Sequence, residues 1–369
     1  MSVAESVPVR NRIASLDVLR GIAILGTFGT NAWLFATPGG AFEWFATGVA
    51  PYDAVEAGLR VLSNGKFLAL LTLLFGVGIE LQYRSAVRRR ASWPGRYPLR
   101  ALILFSEGLV HYLLVFEFDV LMGYAIASLV VAQLVGRSDR VVRRWMWTVG
   151  STYVLLLLAL TGLLLLSPDA QVAQTAADPA ATASWTAQVA ARVQYFLLFR
   201  IELVVIVPSA VVLFLLGSRL LRAGAFEDCE VGARIRKGLM VAGLGVALPL
   251  NALTAFAGED WFLVDRYLLP PVVALGVLGL ATTLVLRSRR EPGALQRGIA
   301  AVGGPPSPPT CCRTSWRASS ATAGASASLP GSPTPARGGC SGCGRGSARC
   351  SSSPRRCGCG GSTAARWNW

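Results

Sequence analysis

The sequence predicts an all-α protein, a polytopic bundle of about eight membrane-crossing helices with its N-terminus on the cytoplasmic side, followed by a disordered C-terminal tail. Three observations carry this prediction. Of 369 residues, 53% are hydrophobic and only 15% charged, which is more apolar than an ordinary soluble domain. The apolar residues run in blocks of ~20, the length that crosses a ~30 Å hydrocarbon core at 1.5 Å per residue, rather than in stripes of helical period. Basic residues collect in every second segment between the blocks, as they do on the cytoplasmic side of a bilayer.

The first block starts near Leu16. It follows a polar stretch, carries Asp17 and Arg20 and lacks a small-residue cleavage site, so it reads as a retained helix and not a signal peptide. The second block begins at Lys66, the third at Ala101 and the fourth at Asp119. The fifth runs from Trp145 to Leu166 and the sixth from Val193 to Gly217, with the last two starting near Gly238 and Tyr267.

Charge orients them. Arg10 and Arg12 precede the first block; Arg84, Arg88, Arg89, Arg90, Arg96 and Arg100 join the second to the third; Arg137, Arg140, Arg143 and Arg144 follow the fourth. Arg219, Arg222, Arg234, Arg236 and Lys237 follow the sixth, and Arg287, Arg289, Arg290 and Arg297 the eighth. The turn Phe116 to Asp119 and the loop Ser167 to Ala191 hold no Lys or Arg, and Gly258 to Arg266 holds one. The basic segments are therefore expected inside and the poor ones outside.

Two regions follow from composition: a helical domain over 1–302 and a tail over 303–369. The tail has a single aliphatic residue, Leu329, no acidic residue, and eight of the charges behind the net +15, so it cannot build a core. Seven of the eight cysteines lie there, including Cys340 and Cys343 in a C-x-x-C pair, but Cys357 and Cys359 are spaced C-x-C with no histidine nearby, which is poor spacing for zinc. An RNA-binding tail would carry interleaved aromatics or a repeat. The reading favoured is translation out of frame, since a GC-rich gene read in a wrong frame yields Arg, Pro, Ser, Gly, Ala and Cys. No metal and no nucleic-acid partner is expected.

Polar groups inside apolar blocks are costly in lipid and mark function. Asp17 and Arg20 share a face near the cytoplasmic end of the first block, either as an interfacial pair or as a functional one. Lys66 opens the second block near the outer surface, and Glu80 stands one turn before Arg84, a local salt bridge. His111 is the sole histidine, with Glu107 one turn before it. A carboxylate in that place can orient an imidazole and raise its basicity, as a general base requires, whereas the bland alternative is a packing hydrogen bond. On these boundaries His111 falls near mid-membrane and Asp119 at the outer surface. Arg200 and Glu202 interrupt the sixth block and point to other helices; Asn31 and Asn251 are candidates for interhelical hydrogen bonds. No Walker loop, Rossmann fingerprint or H-E-x-x-H occurs, so nucleotide hydrolysis and zinc proteolysis have no support.

Arg12-Ile13 followed by Leu16-Asp17-Val18-Leu19-Arg20-Gly21 with Asn31 beyond, Lys66-Phe67 with Leu74-Phe75-Gly76-Val77-Gly78, and Gly108-Leu109-Val110-His111 with Asp119-Val120-Leu121 and Tyr124-Ala125 together resemble the YeiB-like bacterial membrane proteins, catalogued as domain of unknown function 418. Phe118 departs from the glycine usual before the aspartate, and the family's last two helices have no counterpart in the tail, which agrees with the frameshift reading. The family is in turn similar to transmembrane acyltransferases. The resemblance implies a multi-pass protein of the bacterial plasma membrane that moves an acyl group from acyl-coenzyme A, its donor substrate and not a bound cofactor, to a hydroxyl or amine on a sugar or lipid. His111 would deprotonate the acceptor, Glu107 or Asp119 would orient it, and Arg20 would hold donor phosphate, with Asp17 and Lys66 beside it as substrate-binding candidates. The alternative is a transporter or permease using the same buried charges for substrate or protons; a third option is a structural or regulatory membrane protein.

Overall fold

Apolar side chains on all sides of a helix leave it no stable home in water, and the structure, a computed structural model, answers with helices alone. It describes residues 14–36, 58, 61–62, 64–166, 184–257, 261–288 and 294–303, with no strand among them, and all belong to one compact unit, Met1–Ser307. The tail from residue 304 onward, its cysteines, Arg10, Arg12 and the side chain of Asn31 lie outside the described residues.

Helix α1 is Ala14–Ala36, α2 Lys66–Arg88, α3 Tyr97–Leu114, α4 Leu121–Leu134 and α5 Asp139–Leu166. Helix α6 is Trp185–Gln194, α7 Phe196–Phe199 and α8 Leu203–Arg222; α9 is Glu230–Met240, α10 Leu248–Phe256, α11 Leu269–Arg287 and α12 Ala294–Gly303. Among the described residues five helical stretches are long and apolar enough to cross a membrane: α2, α5, Phe196–Arg222, Glu230–Phe256 and Val264–Arg287. The protein is thus an all-α bundle of membrane-spanning helices. Of the other expected crossings, α1 has 23 residues and α3 has 18, while α4 has 14, ~21 Å of helix against a ~30 Å core. The chain shortens α4 because Asp119 ends the preceding turn instead of opening the helix.

The block expected from Val193 is broken at Tyr195 and again over Arg200–Glu202. Two arginines explain it, since both turn inward to the loop before α4. Prolines account for two further irregularities. Pro249 and Pro270 have no N–H and crowd the carbonyl four residues back, and each is preceded by a π-helical stretch, Val241–Ala247 and Val264–Leu268. The extra residue in the turn absorbs the misfit without ending the helix.

Helices α2 and α8 form the centre. In lipid there is little hydrophobic gain in pairing helices, so close backbone approach must supply it. A Cβ on Gly76 would run into the Phe214 backbone and one on Gly217 into the Leu73 carbonyl, so the two helices cross where each has no side chain. One core joins α1, α2, α8 and α11 through Leu19, Leu70, Leu73, Val77, Leu220 and Leu278; a second joins α2, α3, α4 and α8 through Ile79, Tyr97, Tyr124, Val131 and Phe214. At the basic end Glu80, nearly fully buried, accepts from Arg84 at 2.8 Å, Ser218 at 2.9 Å and Arg222 at 2.9 Å, so the expected local pair is part of a lock between α2 and α8.

Candidate functional site

Gly108 sets the site. A Cβ there would meet Asp119 Oδ1 and the Met122 N–H, each at 2.8 Å, so only glycine lets the turn after α3 fold back against the helix. That approach carries Asp119 to His111, one turn further on. His111 Nδ1 lies 2.8 Å from Asp119 Oδ2, and because a carboxylate only accepts, Nδ1–H is the donor and Nε2 keeps a lone pair. The other carboxylate oxygen accepts from the N–H of Leu121 at 2.9 Å and Met122 at 3.3 Å, the free donors at the start of α4. Burial pushes the Asp119 carboxyl up from its ordinary range, while the imidazole and those N–H groups pull it back. The carboxylate side chain is 2% exposed and the imidazole 41%, so the pair has a fixed end and an open one.

The turn itself is clamped from α6 and α7. Arg192 meets Glu117 at 3.1 Å and donates to the carbonyls of Leu113 and Val115. Arg200 donates to the carbonyls of Asp119 and Glu117 and lies 4.0 Å from the centroid of the Tyr112 ring. Tyr112, fully buried, donates its hydroxyl to the Arg192 carbonyl. Of this the sequence marked Arg200 as an interruption of its apolar block, whereas Arg192, just before that block, was missed.

His111 and Asp119 border a cavity of about 280 Å³. Its far wall is a second polar group: Tyr267 donates to Glu202 at 2.7 Å, Tyr153 donates to the Tyr267 carbonyl, and Arg266 donates to Asn64 at 3.0 Å. Behind it Asp265 accepts from Asn64 at 2.7 Å and from Asn251 at 2.6 Å. Asn251 does make the bond between helical segments expected of it. Gly65, with φ +66, lets α2 begin against the Arg266 carbonyl; this is the left-handed region that glycine enters at no cost.

The remaining sequence candidates fall elsewhere. Glu107 lies on the exposed side of α3, and the carboxylate at the imidazole is Asp119. Asp17 and Arg20 pair at 3.6 Å, and Arg20, the nearer of the two, is seven residues before Thr27, which lines the cavity, hence ~10 Å away along α1. Lys66 is buried beside the second polar group, its Nζ 3.3 Å from the Asn64 carbonyl. His111 is three residues from the C-terminal end of α3 and not at the middle of the helix, because α3 already stops at Leu114. No cluster of metal-ligating side chains occurs among the described residues.

No protein-family model matches the chain, and no solved structure does. The uncharacterised protein YeiB of Escherichia coli K12 is 33% identical over 128 residues, 34% of this chain and 31% of that one. The uncharacterised protein YxaH of Bacillus subtilis 168 is 28% identical over 138 residues, 36% and 34% of the two chains. The matches cover about a third of the length of these relatives, and they support the YeiB-like resemblance.

Proposed function

We propose that the chain is a YeiB-like acyltransferase of the bacterial plasma membrane, with His111 as general base. The observation that carries this reading is the His111–Asp119 hydrogen bond at the edge of a cavity. Asp119 fixes the tautomer and leaves Nε2 as the atom that accepts a proton. In the step proposed, Nε2 takes the proton of an acceptor hydroxyl or amine as its oxygen or nitrogen bonds to the acyl carbon of a thioester. The carbon–sulfur bond breaks, and the imidazolium returns the proton to the departing thiolate of coenzyme A. Arg20, on the cytoplasmic side of the cavity along α1, would meet the donor's phosphates. The resemblance of the YeiB-like motifs to those of transmembrane acyltransferases points the same way, and the bacterial origin of both relatives fits a bacterial membrane.

The test uses proteoliposomes of the full chain supplied with radiolabelled acetyl-coenzyme A and total bacterial lipid extract. Transfer of label to a lipid or saccharide by the wild type, lost in His111→Ala, is the expected result. Undiminished transfer by His111→Ala overturns the role of the histidine. A substrate-driven proton flux without transfer would favour a permease.

A further inference from the structure

We infer that the cavity takes a membrane-borne amphiphile, which enters sideways from the bilayer along the seam between α1 and α3. The cavity brings together two unlike linings. Leu68, Leu71, Val120 and Leu213 are apolar, whereas Glu202 and Tyr267 stand with Arg266 on the far wall. A ligand that satisfies both has a polar end and an apolar end. At about 280 Å³ the space lies at the lower limit of small-molecule sites, ~300 Å³. A phospholipid or similar lipid is several times larger, so only its reacting end fits and its chains must stay outside, in bilayer.

The helices leave such an opening. Helix α1 contributes Thr27 and Thr30 to the cavity and α3 contributes His111, but α1 packs on α2, α11 and α12, and α3 on α4 and α6. No packed interface joins α1 to α3 among the described residues. The imidazole, 41% exposed against 2% for its carboxylate, stands at the mouth. Of the outward side chains on these two helices most are apolar, Ile24, Leu25 and Phe28 on α1 and Val110 and Leu114 on α3, with Arg100, Ser106 and Glu107 the polar exceptions on α3. In a bundle that spans a membrane such faces touch acyl chains, which a water-borne ion has no means to enter through. On the charge-based orientation the mouth lies in the outer half of the bilayer, at the end of α3 remote from Arg96 and Arg100. For the word substrate this inference rests on the acyl-transfer reading; for binding it rests on the cavity alone.

The experiment is photo-cross-linking in vesicles that contain a phosphatidylethanolamine with a diazirine next to its ester carbonyl, followed by peptide mapping. Expected is label on the cavity wall at Leu68, Thr72 or Leu213, in addition to the bilayer-facing Leu155 and Leu163 of α5. Thr27→Trp, which plugs the mouth, should abolish the cavity label and keep the α5 label; Thr30→Phe serves where the first variant fails to fold. Absence of cavity label beside normal α5 label in the wild type overturns the inference, as does cavity label that survives both plugs, or cavity label obtained only with a water-soluble diazirine. Because no acyl transfer is measured, these outcomes are separate from loss of activity in His111→Ala.

Discussion

A single histidine makes the central hydrogen bond directly readable. In protein grown on isotope-labelled histidine, every imidazole nitrogen signal belongs to His111, and nitrogen shifts distinguish a protonated Nδ1 from a protonated Nε2. A hydrogen bond to a charged partner contributes roughly 1.5–3 kcal/mol. At ~1.4 kcal/mol per factor of ten, that favours the Nδ1–H tautomer by roughly 10- to 100-fold. The imidazole is 41% exposed, so solvent screening argues for the lower end, about ten-fold. Asp119→Asn is the informative variant. Its side-chain oxygen can still accept from Leu121 and Met122, which orients the amide NH₂ toward Nδ1. That group donates, and the preferred tautomer should invert to Nε2–H. Solid-state spectra of wild type and variant in lipid give the ratio. A wild type protonated mainly on Nε2, or a variant spectrum identical to it, would refute the assignment of Asp119 as the partner that sets the base.

Gly108→Val should cost about 1–3 kcal/mol through overpacking against Asp119 and Met122, seen as a lower unfolding temperature in detergent, and should weaken the Nδ1–H preference as well. Arg192→Ala leaves Glu117 buried without its ion partner, a loss of about 3–5 kcal/mol; a double-mutant cycle with Glu117→Ala should recover much of it, and strict additivity would argue against the pair. Gly76→Leu should prevent α2 from reaching Phe214, with little folded protein recovered by size exclusion. Burial pushes the Asp119 carboxyl above its ordinary range, so the folded state holds its proton more tightly than the unfolded one. That contribution is complete below the ordinary carboxylate range and is lost as pH rises through the raised value. Wild type should therefore lose more stability than Asp119→Asn as pH rises from below the ordinary carboxylate range to above it in denaturant titrations.

The apolar blocks placed the helices well because length and composition alone decide whether a segment suits lipid. Breaks within a block were another matter: the interruptions at Tyr195 and Arg200 depend on a turn some eighty residues earlier, and no local pattern announces it. The partner of His111 shows the same limit. Glu107 stands one turn away by count, but at ~100° per residue it lies ~110° from the centre of the buried face defined by Tyr97, Ala101, Gly108 and Tyr112. His111 lies ~70° from that centre, on the border between inside and outside. Counting four residues along the helix found a neighbour, whereas Gly108, three residues before the histidine, marks the side from which the real partner comes. Of the far wall, Glu202 was marked as an interruption of its apolar block that points to another helix, whereas its partner Tyr267 and the neighbouring Arg266 escaped because they read as the start of the last block and the loop before it.

The interlock of α2 with α8 has a mechanical consequence. The pair is held at three heights, by Leu73 against Gly217, by Gly76 against Phe214 and by Glu80 against Ser218 and Arg222. Neither helix can slide or roll past the other without forcing side chains into backbone, so together they act as a stiff mast through the bundle. The other two walls of the cavity are set against that mast and are not part of it: α1, which packs on α2, and α3, which meets it through Tyr97 and Arg100. Glu202, next to the first residue of α8, stands with that mast, whereas Thr27 and His111 belong to helices packed around it.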